Sequence, residues 1–286
     1  MNNGSADSKY LAGKTVEAGT LAGWVEQFHR DGFLVVNNVL SAEQIAALKD
    51  DLDRAIEADV GAPGGGAYAG KSLGLHIQER LFERSRANLE LFDLEPIVSF
   101  AETLIGESTH VFHNNSFRTY PGGGISAWHM DDRPHYLVTH GERPTNVRLP
   151  VMFFTCNYYL TDVETVGHGP TEVIPGSHLF GSLPPKSERA VHGAPDAMAG
   201  TPYEKLIHPC LGLAGSVVMF NNQVWHRGAP NLTERTRYIT QVSYGRRIIG
   251  HMYYPFMNYV MPEHVYKDAD ARRKRLLGFL PHGPYG

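Results

Sequence analysis

Hydrophobic residues follow two different rhythms along this chain. Over roughly the first hundred residues the rhythm is helical. Leu21 to Arg30 reads as a short helix ending at Asp31-Gly32, and Phe33 to Val39 as a β-type run. Ser41-Ala42-Glu43-Gln44 fits a capping box, in which the serine hydroxyl and the glutamine amide satisfy free N–H groups at a helix start. Ile45, Leu48, Leu52 and Ile56 follow at helical spacing and predict a helix with one face on a core. Gly61 to Gly70 is a glycine-rich loop, and Leu89 to Ile105 predicts a further helix, stopped at Gly106.

Beyond that point the apolar runs are short and strand-like. His110 to Tyr120 is polar-aromatic and ends at Pro121-Gly122-Gly123-Gly124. Leu149 to Leu160 is a strong strand signal, and Thr171 to Ile174, Gly215 to Phe220 and Tyr238 to Tyr244 are shorter ones. Helices followed by short strands predict a mainly β fold with flanking helices, its core a double-stranded β-helix of the jelly-roll or cupin type. The expected layout is a flexible N-terminus over 1–20 and a single domain over 21–286. Within it fall a helical flank to about 106, a jelly-roll core over about 107–250 and a C-terminal extension over about 251–286. Lys186 to Tyr203 reads as a long loop of the kind that often carries function. Arg272-Arg273-Lys274-Arg275 reads as a solvated helix face rather than a binding patch.

Composition narrows the functions. The 286 residues carry a net charge of −4, and no basic stripe of the kind nucleic acid or a membrane surface requires is evident. No run reaches the roughly 20 apolar residues of a membrane span, and the first residues lack a signal-peptide pattern, so a cytoplasmic protein is expected. Cys156 and Cys210 are too few for a disulfide framework and read as reduced thiols. Fifteen histidines direct attention to metal binding.

Two histidines and one carboxylate on a single face of a metal leave other positions open for O2 and a co-substrate. His-x-Asp/Glu on extended chain suits this, because residues i and i+2 point to the same side. Three segments match: His29-Arg30-Asp31, His129-Met130-Asp131 and His140-Gly141-Glu142. The first ends a helix and the third lies in a Gly/Pro-rich loop. The second follows a glycine loop within the β-region, where a ligand pair belongs. His226 ends the apolar run that begins at Gly215, which delivers a third ligand. Eleven residues later Arg237 opens the next strand, where its guanidinium could hold a carboxylate through two hydrogen bonds.

These segments, with Gly169-Pro170-Thr171-Glu172-Val173-Ile174-Pro175-Gly176-Ser177-His178 and His226-Arg227-Gly228-Ala229-Pro230-Asn231-Leu232-Thr233 through Arg237, resemble the phytanoyl-CoA dioxygenase family. Asp31-Gly32-Phe33-Leu34-Val35-Val36 before the Ser41-capped helix, and Arg275-Leu276-Leu277-Gly278, are also family-like, so the resemblance spans about residues 20 to 286. It implies a non-haem Fe(II) dioxygenase with His129, Asp131 and His226 as iron ligands and 2-oxoglutarate and O2 as co-substrates. Arg237 would bind the 2-oxoglutarate carboxylate, with Tyr158, Ser116 and Lys71 lining its pocket. Gly228 departs from the family, which can carry a hydroxyl there, and Trp128 and Asp132 flank the first ligands unusually. Asp131 disfavours the halogenating relatives, which have a small residue in its place.

The implied reaction is hydroxylation, desaturation or ring closure of a small or mid-sized specialised metabolite, with succinate and CO2 released. Arg118, Tyr120, His135 and Tyr136 flank the metal motif as substrate candidates, and Trp225 is expected to point away from it. No basic patch near the motifs suggests a coenzyme A substrate. A homo-oligomer stays open. Two rivals remain: a His2Asp zinc metallohydrolase, which gains nothing from Arg237, and a non-catalytic jelly-roll binding protein, which is expected to have a broken triad.

Overall fold

The computed structural model describes residues 20–60, 69–70, 74–135, 148–185, 196–251 and 259–279. Helix α1 (Leu21–Asp31) starts where Thr20 accepts the N–H of Gly23 and stops at Gly32, whose φ of 81° suits glycine. Its buried residues are Trp24 and Phe28. Strand β1 (Phe33–Val36) leads into α2 (Ala42–Val60). The capping box forms as expected: Ser41 N–H donates to Gln44 Oε1 at 2.9 Å, and Gln44 N–H to Ser41 Oγ at 3.2 Å. Leu48, Leu52 and Ile56 form the buried face of α2.

The helix expected over Leu89–Ile105 is instead interrupted. Helix α3 (Arg86–Glu90) passes into a single tight turn, and α4 (Ile97–Ile105) begins after Pro96. Proline has no N–H to donate and clashes with the preceding turn, so it starts a helix rather than continuing one.

Strands β2 (Ala69–Gly70), β3 (Leu75–Glu79), β4 (His110–Thr119), β5 (Phe153–Tyr159), β8 (Val217–Asn221) and β10 (Arg237–Gly245) join β1 in a seven-stranded sheet of order β1-β8-β5-β10-β4-β3-β2. Strands β6 (Thr171–Val173), β7 (His208–Cys210) and β9 (His226–Gly228) form a small sheet of order β7-β6-β9. All pairings are antiparallel. The large sheet is covered on both faces. Phe154, Cys156, Tyr158, Val217, Met219, Val242 and Tyr244 pack with Phe28, Leu48 and Phe100 of the helical flank. Tyr159, Val218, Phe220 and Ile239 pack with Val173 and Cys210 of the small sheet. Double burial explains why Leu149–Leu160 reads as a continuous apolar run instead of an alternating one. The architecture is the jelly roll with flanking helices that the sequence predicts.

At the C-terminal end, α5 (Glu263–Tyr266) precedes α6 (Ala271–Leu276). The arginines of α6 are not a solvated face. Arg272 pairs with Glu95 and Glu102, Arg273 with Asp93, and Arg275 with Glu102, while Leu276 is buried. The run is a clamp onto α4 and the turn before it. The Arg272 hydrogen bond, opposed by burial and aided by Arg275, holds the Glu102 carboxyl below its ordinary range. A depressed carboxylate contributes stability above its unfolded pKa and loses it as pH falls. We therefore expect Glu102→Gln to lower the melting temperature by about 2–4 °C at neutral pH, on the order of 1 kcal/mol. In thermal melts that difference should persist through mild acid and shrink only as pH falls below the ordinary carboxylate range; a difference that grows on acidification contradicts the clamp.

Candidate metal centre and its cavity

The ligand-bearing segments are held together by main-chain hydrogen bonds. His129 N–H donates to His226 O at 2.9 Å and His226 N–H to His129 O at 3.0 Å, a single antiparallel bridge that places the two imidazoles side by side. Asp131 N–H donates to Asn222 O at 3.0 Å, fixing the carboxylate two residues on. Asp131 Oδ1 lies 3.4 Å from His226 Nε2 and 3.9 Å from His129 Nε2. His129, Asp131 and His226 together offer three donor atoms, all within 4.8 Å of one another. Among the described residues, His29 and Asp31 do not join such a group, Asp31 pairing instead with Arg30. His140 and Glu142 lie outside the described residues.

Both imidazoles are set to present Nε2. His129 Nδ1 is 2.8 Å from Ala127 O, and His226 Nδ1 is 2.9 Å from Val224 O. A proton on each Nδ1 satisfies these carbonyls and leaves an Nε2 lone pair for a metal. Burial first, then the neighbouring His226, lowers His129 to about 4, so it is neutral. Burial would lower His226 too, but the Asp131 carboxylate and its hydrogen bond outweigh this and raise it. Burial would raise Asp131; His226, His129 and His113 more than offset it and keep Asp131 ionised. Two nitrogens and one oxygen on one side, with the Asp131 side open and His226 buried, fit a facial metal site.

The motif blocks around the triad are its scaffold. Ser177 Oγ accepts Trp225 N–H at 2.8 Å, and Ile174 N–H donates to Trp225 O at 2.9 Å, so the Pro175–His178 turn grips the residue before His226. His178 packs against Gly32, where a Cβ would lie 2.5 Å from its ring. Gln223 Nε2 donates to Arg133 O at 2.7 Å and anchors the chain after Asp131. Asn231 closes the turn between His226 and Arg237: its Oδ1 accepts from Thr233 Oγ1 at 2.7 Å and its Nδ2 donates to Arg235 O at 2.5 Å.

A cavity of about 220 Å³ lies between the two sheets and is bordered by His129, Asp131, His226 and Arg237. Arg237 is buried, and its neighbours are Ala229 O at 3.3 Å and Thr119 Oγ1 at 3.5 Å. Its Nε has no partner, and no carboxylate pairs with it among the described residues. Burial pulls it down from its usual value to about 10. Gly169, with φ of 72°, makes room for it, since a Cβ there would lie 2.6 Å from Nη1. A buried, incompletely bonded guanidinium beside a cavity is a seat for an anion.

Strand register decides which other residues reach this cavity. Arg237 faces Thr119, Ile239 faces Phe117, and Gln241 faces Asn115 and Asn157 across the sheet. All seven border the cavity. Ser116 and Tyr158 belong to the alternate row with Thr240, on the helix side. Ser116 Oγ bonds Thr240 Oγ1 at 3.0 Å, and Tyr158 is wholly buried among the helix-facing core. Neither borders the cavity, which corrects the expectation for both. Counting in twos from Arg237 along β10 would have found Ile239 and Gln241, and pairing would have found the rest.

The other expectations divide. Lys71 and Tyr136 lie outside the described residues. Arg118 faces away and pairs with Asp53 at 2.8 Å, donating also to Tyr120 Oη at 2.7 Å. His135 is exposed and pairs with Asp132 at 3.0 Å. Trp225 points away from the metal, into a small apolar cluster with Trp128, Ile174 and Met198. Of the Lys186–Tyr203 stretch, 196–203 is described and forms turns.

Comparison with known proteins agrees with this geometry. The phytanoyl-CoA dioxygenase (PhyH) family pattern matches residues 28–239. An ectoine dioxygenase from Stutzerimonas stutzeri is 28% identical over 234 residues, covering 74% of this chain and 72% of the relative. One from Bordetella parapertussis is 26% identical over 247 residues, covering 78% and 74%. In fold, the chain is similar to HygX from Streptomyces hygroscopicus, a structure with nickel and 2-oxoglutarate bound (TM-score 0.60, 19% identity, 80% and 88% of the two chains). It is also similar to the epimerase SnoN in complex with Fe3+, alpha ketoglutarate and nogalamycin RO (TM-score 0.60, 18% identity, 85% and 91%). The chain belongs to the phytanoyl-CoA dioxygenase (PhyH) family of Fe(II)/2-oxoglutarate-dependent oxygenases.

Proposed function

We propose that this enzyme binds Fe(II) at His129, Asp131 and His226, holds 2-oxoglutarate through Arg237, and oxidises a small or mid-sized organic molecule, hydroxylation being the simplest outcome. The observation that carries this reading is the buried Arg237 guanidinium on the same cavity as the triad, with no carboxylate paired to it among the described residues. A zinc hydrolase has no use for that group. A plain binding module has no use for two imidazoles oriented by Ala127 O and Val224 O.

When bound, iron and 2-oxoglutarate supply an O2-derived oxidant for unactivated C–H bonds, with succinate and CO2 as by-products. The chain's own part is positioning. Arg237 binds the far carboxylate, and Thr119, its register partner, adds a hydroxyl where Gly228 has none. Ile239, Phe117 and Phe220 border the cavity with apolar surface that keeps water low near the reacting carbon. Asn115, Asn157 and Gln241 offer amides for orienting a substrate; Gln241 Nε2 already donates to Asn157 Oδ1 at 3.0 Å. A small-molecule substrate is consistent with the relatives named ectoine dioxygenases. Among the described residues, no helix is long and apolar enough to cross a membrane.

Two outcomes test this reading. In metal-loaded protein, 2-oxoglutarate at about a hundred times its dissociation constant should stabilise the fold by about 2.7 kcal/mol. Arg237→Ala should weaken 2-oxoglutarate binding by at least about 30-fold, equivalent to about 2 kcal/mol, and Gly169→Ala should weaken it too by displacing the guanidinium. Calorimetry showing wild-type affinity in Arg237→Ala contradicts the assignment. The second outcome concerns pH. The Asp131 carboxylate raises His226, so it takes up a proton more readily than a free imidazole and that proton competes with a metal, whereas His129 is neutral and Asp131 ionised. Mn(II) affinity should therefore rise with pH, by up to about tenfold per unit, until His226 is neutral and then level off, with one proton released per metal at the acid end. Titrations in buffers of different ionisation heat measure this; an affinity that falls with rising pH contradicts it.

A further inference from the structure

Each metal-binding histidine has a distinctive chain neighbour: Trp128 precedes His129, and Arg227 follows His226. One carboxylate from a distant segment grips both. Asp196 Oδ1 accepts the Trp128 indole N–H at 3.0 Å, and Asp196 Oδ2 pairs with Arg227 Nη2 at 2.8 Å. The circuit closes on itself, because the Arg227 guanidinium carbon lies 4.9 Å from the centre of the Trp128 ring. Arg227 is held from its other side by Glu172, its direct partner across the β6–β9 pair, with Nε donating to Oε2 at 2.7 Å. Around this circuit, Trp128, Trp225, Ile174 and Met198 form an apolar cluster separate from the main core, which takes in Tyr203 and Ile207 as well.

The His129–His226 bridge is an isolated pair of hydrogen bonds, flanked by single ones from Asp131 N–H to Asn222 O and from Gly228 N–H to Ile125 O, each 3.0 Å. These scattered main-chain bonds fix the backbones, and the side chains beside the ligands add a second tie that holds their spacing when no metal is bound. The Trp128–Asp196–Arg227 circuit ties the same two segments at adjacent residues, with a charge-assisted pair shielded from solvent by aromatic surface. Resting on the metal assignment made above, we propose that Arg227 and Asp196 are positioning residues for the metal centre, setting the separation of His129 and His226 through Trp128. The circuit also makes the 196–207 segment part of the metal site's support.

Co(II) titration of the apo-protein, followed by its visible absorption, tests this without substrate or turnover. Arg227→Met should raise the Co(II) dissociation constant about 10–100-fold, the range for residues that orient metal ligands. Asp196→Asn keeps an acceptor for Trp128 but removes the charge facing Arg227, and should act in the same direction. The double variant should be no weaker than the worse single one, because both changes break one contact. Arg118→Met is the control: its pair with Asp53 is similarly part-buried but lies on the helix side of the large sheet, away from the triad. It should lower the melting temperature and leave Co(II) affinity alone. If Arg227→Met does not fold, Asp196→Asn carries the test. Wild-type Co(II) affinity and spectrum in folded Arg227→Met or Asp196→Asn overturn the inference, as does an equal loss in Arg118→Met. Wild-type protein that binds no Co(II) contradicts the metal assignment itself, and this inference with it.

Discussion

A strand buried on both faces must satisfy two environments with one alternating sequence. The central strands β4, β5, β8 and β10 of the large sheet meet that condition, and the rest of the molecule follows from it. One set of residues meets the helical flank; the set between meets the small sheet and the cavity. Register then aligns the inward residues of neighbouring strands, so that Thr119 and Arg237, or Asn115, Gln241 and Asn157, stand in rows. A shift of one residue would exchange the polar rows for Ser116, Tyr158 and Thr240 and dismantle the cavity. The helices, including the α6 clamp on α4, hold the outer face so that this register has no freedom.

The cavity sets an arginine apart from the triad's carboxylate, and no carboxylate among the described residues pairs with that arginine. Arg237 is buried without an anion, while the triad holds one carboxylate against two imidazoles. Such arrangements cost stability unless a ligand completes them. The two ends suit ligands of opposite kinds: a cation at Asp131 and the imidazoles, and a carboxylate at Arg237. A metal chelated by a dicarboxylate whose far end reaches the arginine answers both. Gly169 leaves the guanidinium its room, since a Cβ there would lie 2.6 Å from Arg237 Nη1 and 2.8 Å from Ala229 O.

Much of this was legible in the residue order. The Ser41–Gln44 box, the inward run to His226 and the spacing from His226 to Arg237 each carry a local physical rule, and the structure brings those residues where the rule puts them. Three features were not read correctly, for different reasons. Pro96 lay in plain view within the expected helix, and its missing N–H outweighed the apolar rhythm of Leu89–Ile105. Ser116 and Tyr158, which the family resemblance puts in the co-substrate pocket, pair with Thr240 and lie on the helix side by parity from Arg237. The arginines of 272–275 looked solvated because their partners, Asp93, Glu95 and Glu102, are about 170–180 positions earlier in the chain. Long-range ion pairs, Arg227 with Asp196 among them, leave no periodic trace, and no spacing rule could have found them.

The most direct test of a metal and an anion sharing one cavity is optical. Fe(II) is added to the apo-protein without oxygen, then 2-oxoglutarate, and the visible spectrum is recorded. If iron at His129, Asp131 and His226 is chelated by a 2-oxoacid seated on Arg237, a weak metal-to-ligand charge-transfer band appears and saturates with 2-oxoglutarate. A folded, iron-loaded protein that develops no such band contradicts the account.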